Sequence, residues 1–316
     1  MSFIFGPVPS RRLGRSLGID PVPSKTCNWN CVYCQLGRSR PVINERREWV
    51  PSAEIIAELS AYLAEHGEEG FDWITFVGSG ETTLHTGIGD LIRETRALTS
   101  KPVAVITNGS TLHLPEVREA LLPAAAVMPS LDAGSEELYR RITRAHPDCT
   151  FQRQIDGLRR FREEYTGHLW LEVMLIAGLN DGPAALADLC QAVASINPDE
   201  VHLVTPSRAP AEEWVEVPGA EALRQATTIL GAVTRVVTPA AEVVDLRGNA
   251  NLEETIVSIV TRHPMTEAQL LQVAGKARAQ TLSEVLRALE TSGRIQAVER
   301  QGERFYTTAA GVYPGA

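Results

Sequence analysis

Cysteine is scarce in this chain, 5 in 316 residues. The odd count, with no secretory segment ahead of it, argues against a disulfide framework. No run approaches the roughly 18 consecutive apolar residues that a membrane span needs. Residues 1–20 do not read as a charged-then-apolar signal peptide; they carry three arginines and turn formers, so a reducing, cytoplasmic location is expected. Positive charge is also short: 30 Lys and Arg against 39 Asp and Glu leave a net −9 and a pI near 5.4, which counts against general affinity for nucleic-acid phosphates. Short-period repeats and low-complexity tracts are missing. What remains, 44% hydrophobic and 22% charged, is ordinary for a soluble globular chain long enough for one large domain and a small one.

Three of the few cysteines fall together, in Thr26-Cys27-Asn28-Trp29-Asn30-Cys31-Val32-Tyr33-Cys34. One short loop with this Cys-x3-Cys-x2-Cys spacing can aim three thiolates at a point, as a cubane iron–sulfur cluster held at three of its four irons requires. The fourth iron then lacks a protein ligand, and an open metal position is where a small molecule binds and reacts. A structural zinc site normally wants four ligands, commonly in two pairs. Cys149 and Cys190 are distant in sequence, and the loop holds no histidine. Inert core cysteines belong on an apolar periodic face, whereas this loop carries Asn28 and Asn30 and follows Pro21 and Pro23. The pattern points to an enzyme.

The triad resembles the hallmark of the radical S-adenosylmethionine (SAM) superfamily. The opening stretch Gly6-Pro7-Val8-Pro9-Ser10-Arg11-Arg12-Leu13-Gly14-Arg15-Ser16-Leu17-Gly18-Ile19-Asp20 is similar to a branch of iron–sulfur oxidoreductase-like proteins related to the wyosine-base enzymes of tRNA modification. The resemblance covers most of 3–210 and is densest in the first forty residues and at Gly78-Ser79-Gly80-Glu81. It implies a [4Fe-4S] cluster on Cys27, Cys31 and Cys34 whose free iron is chelated by the amino and carboxylate groups of SAM. It further implies reductive cleavage of SAM to methionine and a 5′-deoxyadenosyl radical that abstracts hydrogen from substrate. The expected electron donor is of flavodoxin or ferredoxin type.

Strand-like runs at 16–20, 73–77, 103–107, 126–131, 169–176 and 200–204 alternate with helical patterns at 52–66, 90–98, 115–122, 136–143, 151–162, 184–196 and 221–230. Six βα units fall short of a closed eight-fold barrel, so the expected class is α/β, an open partial (β/α)6 TIM-like barrel over 1–245, as the resemblance also implies. Chemistry then collects at the carboxyl ends of the strands. Residues 206–218, with three prolines, are expected to form an ordered loop across a sheet edge. Residues 251–316 read as a winged helix–turn–helix, with helices at 253–263, 266–273 and 278–291, strands at 294–299 and 304–308, and a turn at Gln301-Gly302. Its seven cations, Lys276 and Arg278 among them, balance seven anions, whereas a DNA reader is usually basic. Dimerisation, substrate docking or lid-like packing therefore stand beside nucleic-acid contact.

The Gly78-Ser79-Gly80-Glu81 turn follows a strand, and small residues let a backbone approach a ligand closely. In the resembled superfamily such a turn receives the SAM amino group. Thr82 and Thr83 stand where relatives of this branch carry Pro. By resemblance Tyr33 packs near the adenine of SAM; simple loop packing is the alternative. Asn108 and Gly109 end the third strand. Ser130 and Asp132 suit ribose hydroxyls or a helix cap, and Asn180 with Asp181 suits the adenine or the cap of the helix at Ala184. Glu172 interrupts an apolar strand, so it faces the substrate cavity, bonds Arg208 or turns to the polar exterior; His202 is a similar inward candidate. Cys190 sits on a core stripe with Leu186, Leu189 and Val193, and Cys149, on an expected loop, keeps a methyl-carrying cysteine open.

Residues 1–40 carry six cations against Asp20 alone, a net +5, which leaves −14 for the rest. This segment attracts an anionic substrate, steadies a reduced cluster or is a solvated surface. The leading expectation is a radical SAM enzyme acting on an unidentified substrate, an RNA, a nucleotide or an anionic small molecule. Radical SAM methyl transfer is the alternative chemistry, and a redox-sensing DNA-binding iron–sulfur protein the alternative class.

Overall fold

The computed structural model describes residues 2–10, 12–237, 252–274 and 279–314. The chain opens with a hairpin, β1 (Ile4–Ser10) antiparallel to β2 (Gly14–Ile19). Then follow α1 (Ser52–His66), β3 (Trp73–Phe76), α2 (Ile88–Leu98), β4 (Val103–Thr107), α3 (Pro115–Leu121), β5 (Ala126–Pro129), α4 (Glu136–Thr143) and α5 (Phe151–Glu164). The rest of this unit is β6 (His168–Met174), α6 (Pro183–Ile196), β7 (Glu200–Val204), α7 (Ala220–Leu230) and β8 (Thr234–Val236). Helix starts follow local chemistry. Ser135 and Thr150 cap α4 and α5 by accepting from the Leu138 and Arg153 amides, and prolines open α3 and α6, where a missing N–H costs nothing.

All eight strands form one sheet in chain order, and every pair from β2 to β8 is parallel. The six expected strands are its centre. The expectation of six is corrected at both edges. β1 escapes a strand reading because it contains Gly6, Pro7 and Pro9; it pairs only as an edge, with a register shift between Phe5 and Val8, where prolines are tolerated. β8 has only three residues, too short to carry a pattern.

The alternation of side chains sorts the sheet into two faces. Leu17, Ile19, Ile74, Phe76, Val105, Leu171 and Leu203 point to the helices and form the main core. The inward set begins with an apolar plug of Leu13, Ala104, Ala126 and Met128, with Trp73 and Trp170 against it. Above that plug, toward the carboxyl ends of the strands, lies the cavity that holds the site.

The C-terminal unit contains α8 (Leu252–Arg262), β9 (Met265–Thr266), α9 (Glu267–Ala274), α10 (Ala279–Thr291), β10 (Ile295–Arg300) and β11 (Glu303–Thr308). Its sheet is antiparallel in the order β10-β11-β9, over a core of Ile256, Val260, Leu270, Leu282, Leu286 and Ile295. The expected helices and hairpin are present. β9 adds a third strand where the sequence reads as the start of a helix. Three helices with a small antiparallel sheet are what the structure establishes; a winged helix–turn–helix is a finer statement. The expected boundary between 245 and 251, the cations Arg11, Lys276 and Arg278, and the expected helix start at Arg278 lie outside the described residues.

Candidate active site

After β2 the chain runs through residues 20–44 without regular structure, so this loop depends on its neighbours for shape. Trp29 and Val32 pack with Tyr139, Ile142 and Ile176, and the Trp29 and Tyr139 rings meet edge-on at 5.5 Å. Backbone bonds from Asn30 N–H to Thr143 O (2.8 Å), Val32 N–H to Ile142 O (2.9 Å) and Ile43 N–H to Cys27 O (2.9 Å) fix its path. Within 206–218, the expected ordered loop, the Glu212 amide bonds Val32 O at 3.0 Å. Its carboxylate accepts from Arg38 at 2.7 and 2.8 Å and also pairs with Arg144.

Cys27, Cys31 and Cys34 line one cavity of about 360 Å³, in the size range of small-molecule sites, together with Tyr33, Gly78, Ser79 and Gly80. Donors reach two of the sulfurs: Trp29 N–H lies 3.4 Å from Cys27 Sγ, and Lys25 Nζ lies 3.4 Å from Cys34 Sγ. Burial, with the Glu81 charge adding to it, pushes the Cys27 thiol up to about 12. Burial and the neighbouring thiols push Cys31 well above its ordinary value too. Thiols in such a setting stay protonated at neutral pH unless a metal charge holds them as thiolates. Among the described residues no three His, Cys, Asp or Glu side chains gather closely enough to hold a single metal ion. Three buried thiols lining one cavity, two of them met by N–H donors, fit the iron–sulfur cluster that their spacing in sequence suggests.

The glycine turn is stitched to this loop. Ser79 donates to the buried Asp20 carboxylate from its amide (3.2 Å) and its hydroxyl (2.7 Å), and its carbonyl accepts from the Lys25 amide at 2.6 Å. A Cβ on Gly80 would stand 2.0 Å from Thr26 O, and one on Gly78 would stand 2.0 Å from Asp20 Oδ1. Glycine is therefore demanded here by close approach of the chain to itself. Glu81 does not line the cavity. Its buried carboxylate accepts from the Thr83 amide (3.0 Å), Thr83 Oγ1 (2.5 Å), Thr107 Oγ1 (2.5 Å) and the Asn108 amide (2.6 Å). Burial raises its pKa and these hydrogen bonds oppose the rise. Thr82, standing in the Pro region of the resembled turn, donates from Oγ1 to Ile106 O at 2.8 Å and ties the turn to β4.

The remaining expected residues lie behind the cavity wall. Asn108 donates to Asn28 Oδ1 at 2.8 Å and lies 3.9 Å from Cys27 Sγ. Tyr33 OH donates to Asp132 at 2.5 Å, while burial pushes the Asp132 carboxyl up to about 7. Ser130 is half-buried and its carbonyl accepts from Gln154. Asn180 accepts from the Ile176 amide and donates to Asp132 O and Met174 O, and Asp181 accepts from the Gly178 amide. The capping alternatives are corrected: the cap of α6 is Gly182 without a side-chain bond, and that of α4 is Ser135. Cys149 is buried between Asn28 and Asn44, with its thiol pushed up to about 11 by burial, and is not among the cavity's lining residues. Cys190 packs against the main core as expected.

Glu172 does face the cavity, but its partner is Arg12 rather than Arg208. His202 is buried against Trp170 and bonds Glu200 at 2.9 Å, away from the cavity lining. Sequence reasoning offered substrate docking or lid-like packing for the C-terminal unit but named none of the residues that seat it. Arg262, at the end of α8, forms a buried ion pair with Asp20 at 3.0 Å and lies over the Phe5 ring. His263 lines the cavity itself. Tyr313 OH bonds Gln35 O, Gln35 donates to Arg262 O at 2.8 Å, and the Arg38 amide bonds Val312 O at 2.8 Å. No local signal marks these contacts.

The profile described as the radical SAM superfamily matches residues 22–190. The chain is 30% identical over 315 residues to a UPF0026 protein of Methanocaldococcus jannaschii, covering 97% of this chain and 96% of that one. It is 37% identical over 296 residues, 93% of this chain, to a Brachyspira hyodysenteriae protein named GTPase Obg, and it spans only 43% of that protein's length. In fold it is similar to the crystal structure of a radical SAM methyltransferase from Sphaerobacter thermophilus, with a TM-score of 0.53 at 18% identity over 70% of this chain and 66% of that one. Among the described residues no helix is long and apolar enough to cross a membrane.

Proposed function

Because the chain belongs to the radical SAM superfamily, we propose that it is an enzyme holding a [4Fe-4S] cluster on Cys27, Cys31 and Cys34, with SAM bound beside Gly78-Ser79-Gly80. The observation that carries this reading is that the three thiols and the glycine turn line the same cavity. When bound, cluster and SAM would together supply one-electron reductive cleavage of SAM, the electron coming from the external donor, and with it hydrogen-atom abstraction from the substrate. The chain's own residues set the stage. Trp29 N–H and Lys25 Nζ donate to cluster-ligating sulfurs, stabilising their negative charge. Asp132 holds the Tyr33 ring by its hydroxyl, and Asp20 with Glu81 locks the turn. The apolar plug beneath the cavity keeps water from a reactive intermediate.

The substrate reading is an anionic molecule of nucleotide type, supported by the motif resemblance in 6–20. The +5 of residues 1–40 lends less support than it first offers, because Arg12, Arg15 and Arg38 are paired with Glu172, Asp72 and Glu212. The C-terminal unit, read as a winged-helix variant, serves as a cover over the cluster loop, in keeping with its balanced charge and its bonds to Gln35 and Arg38. Methyl transfer through Cys149 has no support from that residue's position. The external electron donor remains of flavodoxin or ferredoxin type in this proposal.

Anaerobically reconstituted protein should hold about four irons per chain and form 5′-deoxyadenosine from SAM with dithionite. A wild type that yields none, or that holds zinc alone, refutes the reading. S-adenosylhomocysteine among the products turns it to methyl transfer. DNA binding that follows cluster oxidation without SAM cleavage turns it to a regulator.

A further inference from the structure

Arg12, in the β1–β2 turn, and His263, just past α8, both line the cavity, and each leaves a buried nitrogen without an acceptor among the described residues: Arg12 Nε and His263 Nε2. The proton on the imidazole can be located by elimination. Arg208 Nη1 has hydrogens but no lone pair to offer, so at 3.0 Å it donates to His263 Nδ1. A neutral ring that accepts at Nδ1 carries its proton on Nε2. Burial, reinforced by the Arg208 and Arg262 charges, keeps that ring neutral. Arg208 is steadied in turn by Gln35 Oε1 at 2.9 Å, and Arg12 by its ion pair with Glu172 through Nη1. Both unmatched groups are therefore N–H donors on side chains already fixed in place. Native interiors leave few buried donors without acceptors. Trp29 Nε1 is a third unmatched donor among the lining residues, on the cysteine-loop wall. The pair on the facing side, Arg12 and His263, calls for a ligand with acceptor oxygens, and a guanidinium N–H favours a charged oxygen over a neutral one.

We infer that Arg12 and His263 form a subsite for an oxyanion group, a carboxylate or a phosphate, of the substrate. The inference rests on the radical SAM reading of the cavity and adds a substrate class to it. It also makes the site composite, since one donor comes from the barrel hairpin and the other from the C-terminal unit. Arg208 acts as a positioning residue through the imidazole.

The test is calorimetric titration of the full-length, cluster-loaded protein under anaerobic conditions with inorganic phosphate and, separately, with acetate. One of the two should bind, which names the source of the oxyanion. Arg12→Met and His263→Leu should each weaken that binding about tenfold, and His263→Gln, which restores an N–H near the lost one, should recover most of it. Unfolding curves identify any variant that fails to fold, and the other two then decide. Binding of neither anion at tens of millimolar, or unchanged affinity in the folded variants, overturns the subsite. So does competitive displacement of the anion by SAM, which assigns the donors to the carboxylate of SAM itself. Protein that forms 5′-deoxyadenosine but binds neither anion loses the subsite alone. Protein that binds an anion but cleaves no SAM loses the radical reading alone.

Discussion

On the cysteine-loop side of the cavity, Glu81 accepts four hydrogen bonds, Asp132 accepts from Tyr33 and the Met174 amide, and Asn180 uses both ends of its amide. On the side built by the first hairpin and the C-terminal unit, Arg12 Nε and His263 Nε2 meet no acceptor. Both sides are buried and polar, yet their carboxylates, amides and charged donors separate them; on the cysteine-loop side only the neutral Trp29 Nε1 is left over. A carboxylate surrounded by its own chain's donors is framework: it stiffens the loop that aims the thiols. A donor left over in a cavity wall is an invitation to a ligand. Several residues that look like ligand contacts in the sequence, Glu81, Asp132 and Asn180 above all, sit in the first group; the second holds Arg12, noticed there only within the basic opening segment, and His263, which no pattern marks.

That contrast can be broken or sharpened by substitution. The largest effect is expected for Cys31→Ala, which should drop bound iron from about four per chain to near background and abolish 5′-deoxyadenosine formation; iron analysis and product chromatography read both. Retained SAM cleavage in this variant would remove the cluster from the mechanism. Next comes Arg262→Ala. It strands the buried Asp20 carboxylate, whose partner is only 8% exposed, and should cost about 3–5 kcal/mol in denaturant unfolding. A loss below about 1 kcal/mol would mean that the pair is solvated and the C-terminal unit only loosely seated. Glu81→Gln keeps the shape but removes the charge that four donors share, and should cost about 1.5–3 kcal/mol by the same measurement.

The smallest effect is electrostatic. The Arg38 guanidinium, followed by Arg144, holds the Glu212 carboxyl below its ordinary 4.5. The unfolded chain therefore takes up this proton more readily than the folded one. The stabilising contribution is complete above pH 4.5 and disappears as the pH falls through the lower folded value. Glu212→Gln should remove this contribution at neutral pH, lowering thermal stability there, and should flatten the acid-side loss. An unaltered acid profile would show that the ion pairs to Arg38 and Arg144 are not what anchors the 206–218 loop.

The central strands and their helices were legible because their signals are short-range: a mostly apolar run over 169–176 and a helical stripe in α1. The edges were not. β1 carries two prolines and a glycine inside a strand, a composition that reads as a turn until a neighbour offers it an edge to pair with. Thr266 reads as the start of a helix over 266–273 and Met265 as part of no element, because two residues cannot announce a strand whose support is β11. For Glu172 the sequence left the cavity, Arg208 and the polar exterior open; the structure turns it to the cavity, with a partner, Arg12, that lies 160 residues away and that no strand pattern indicates.

By itself, the sequence determined that three thiols share one loop, that βα units repeat around it and that small residues follow the next strand, all properties set by neighbours within a few positions. The tertiary structure alone decided which polar groups are framework and which are left open. Asp20 meets Arg262 across 242 residues, and the proton on His263 is placed by Arg208, 55 residues before it. The physical reason is that the cost of burying a charge or an N–H depends on whatever surrounds it in space, and chain folding brings those surroundings from elements that no local pattern connects.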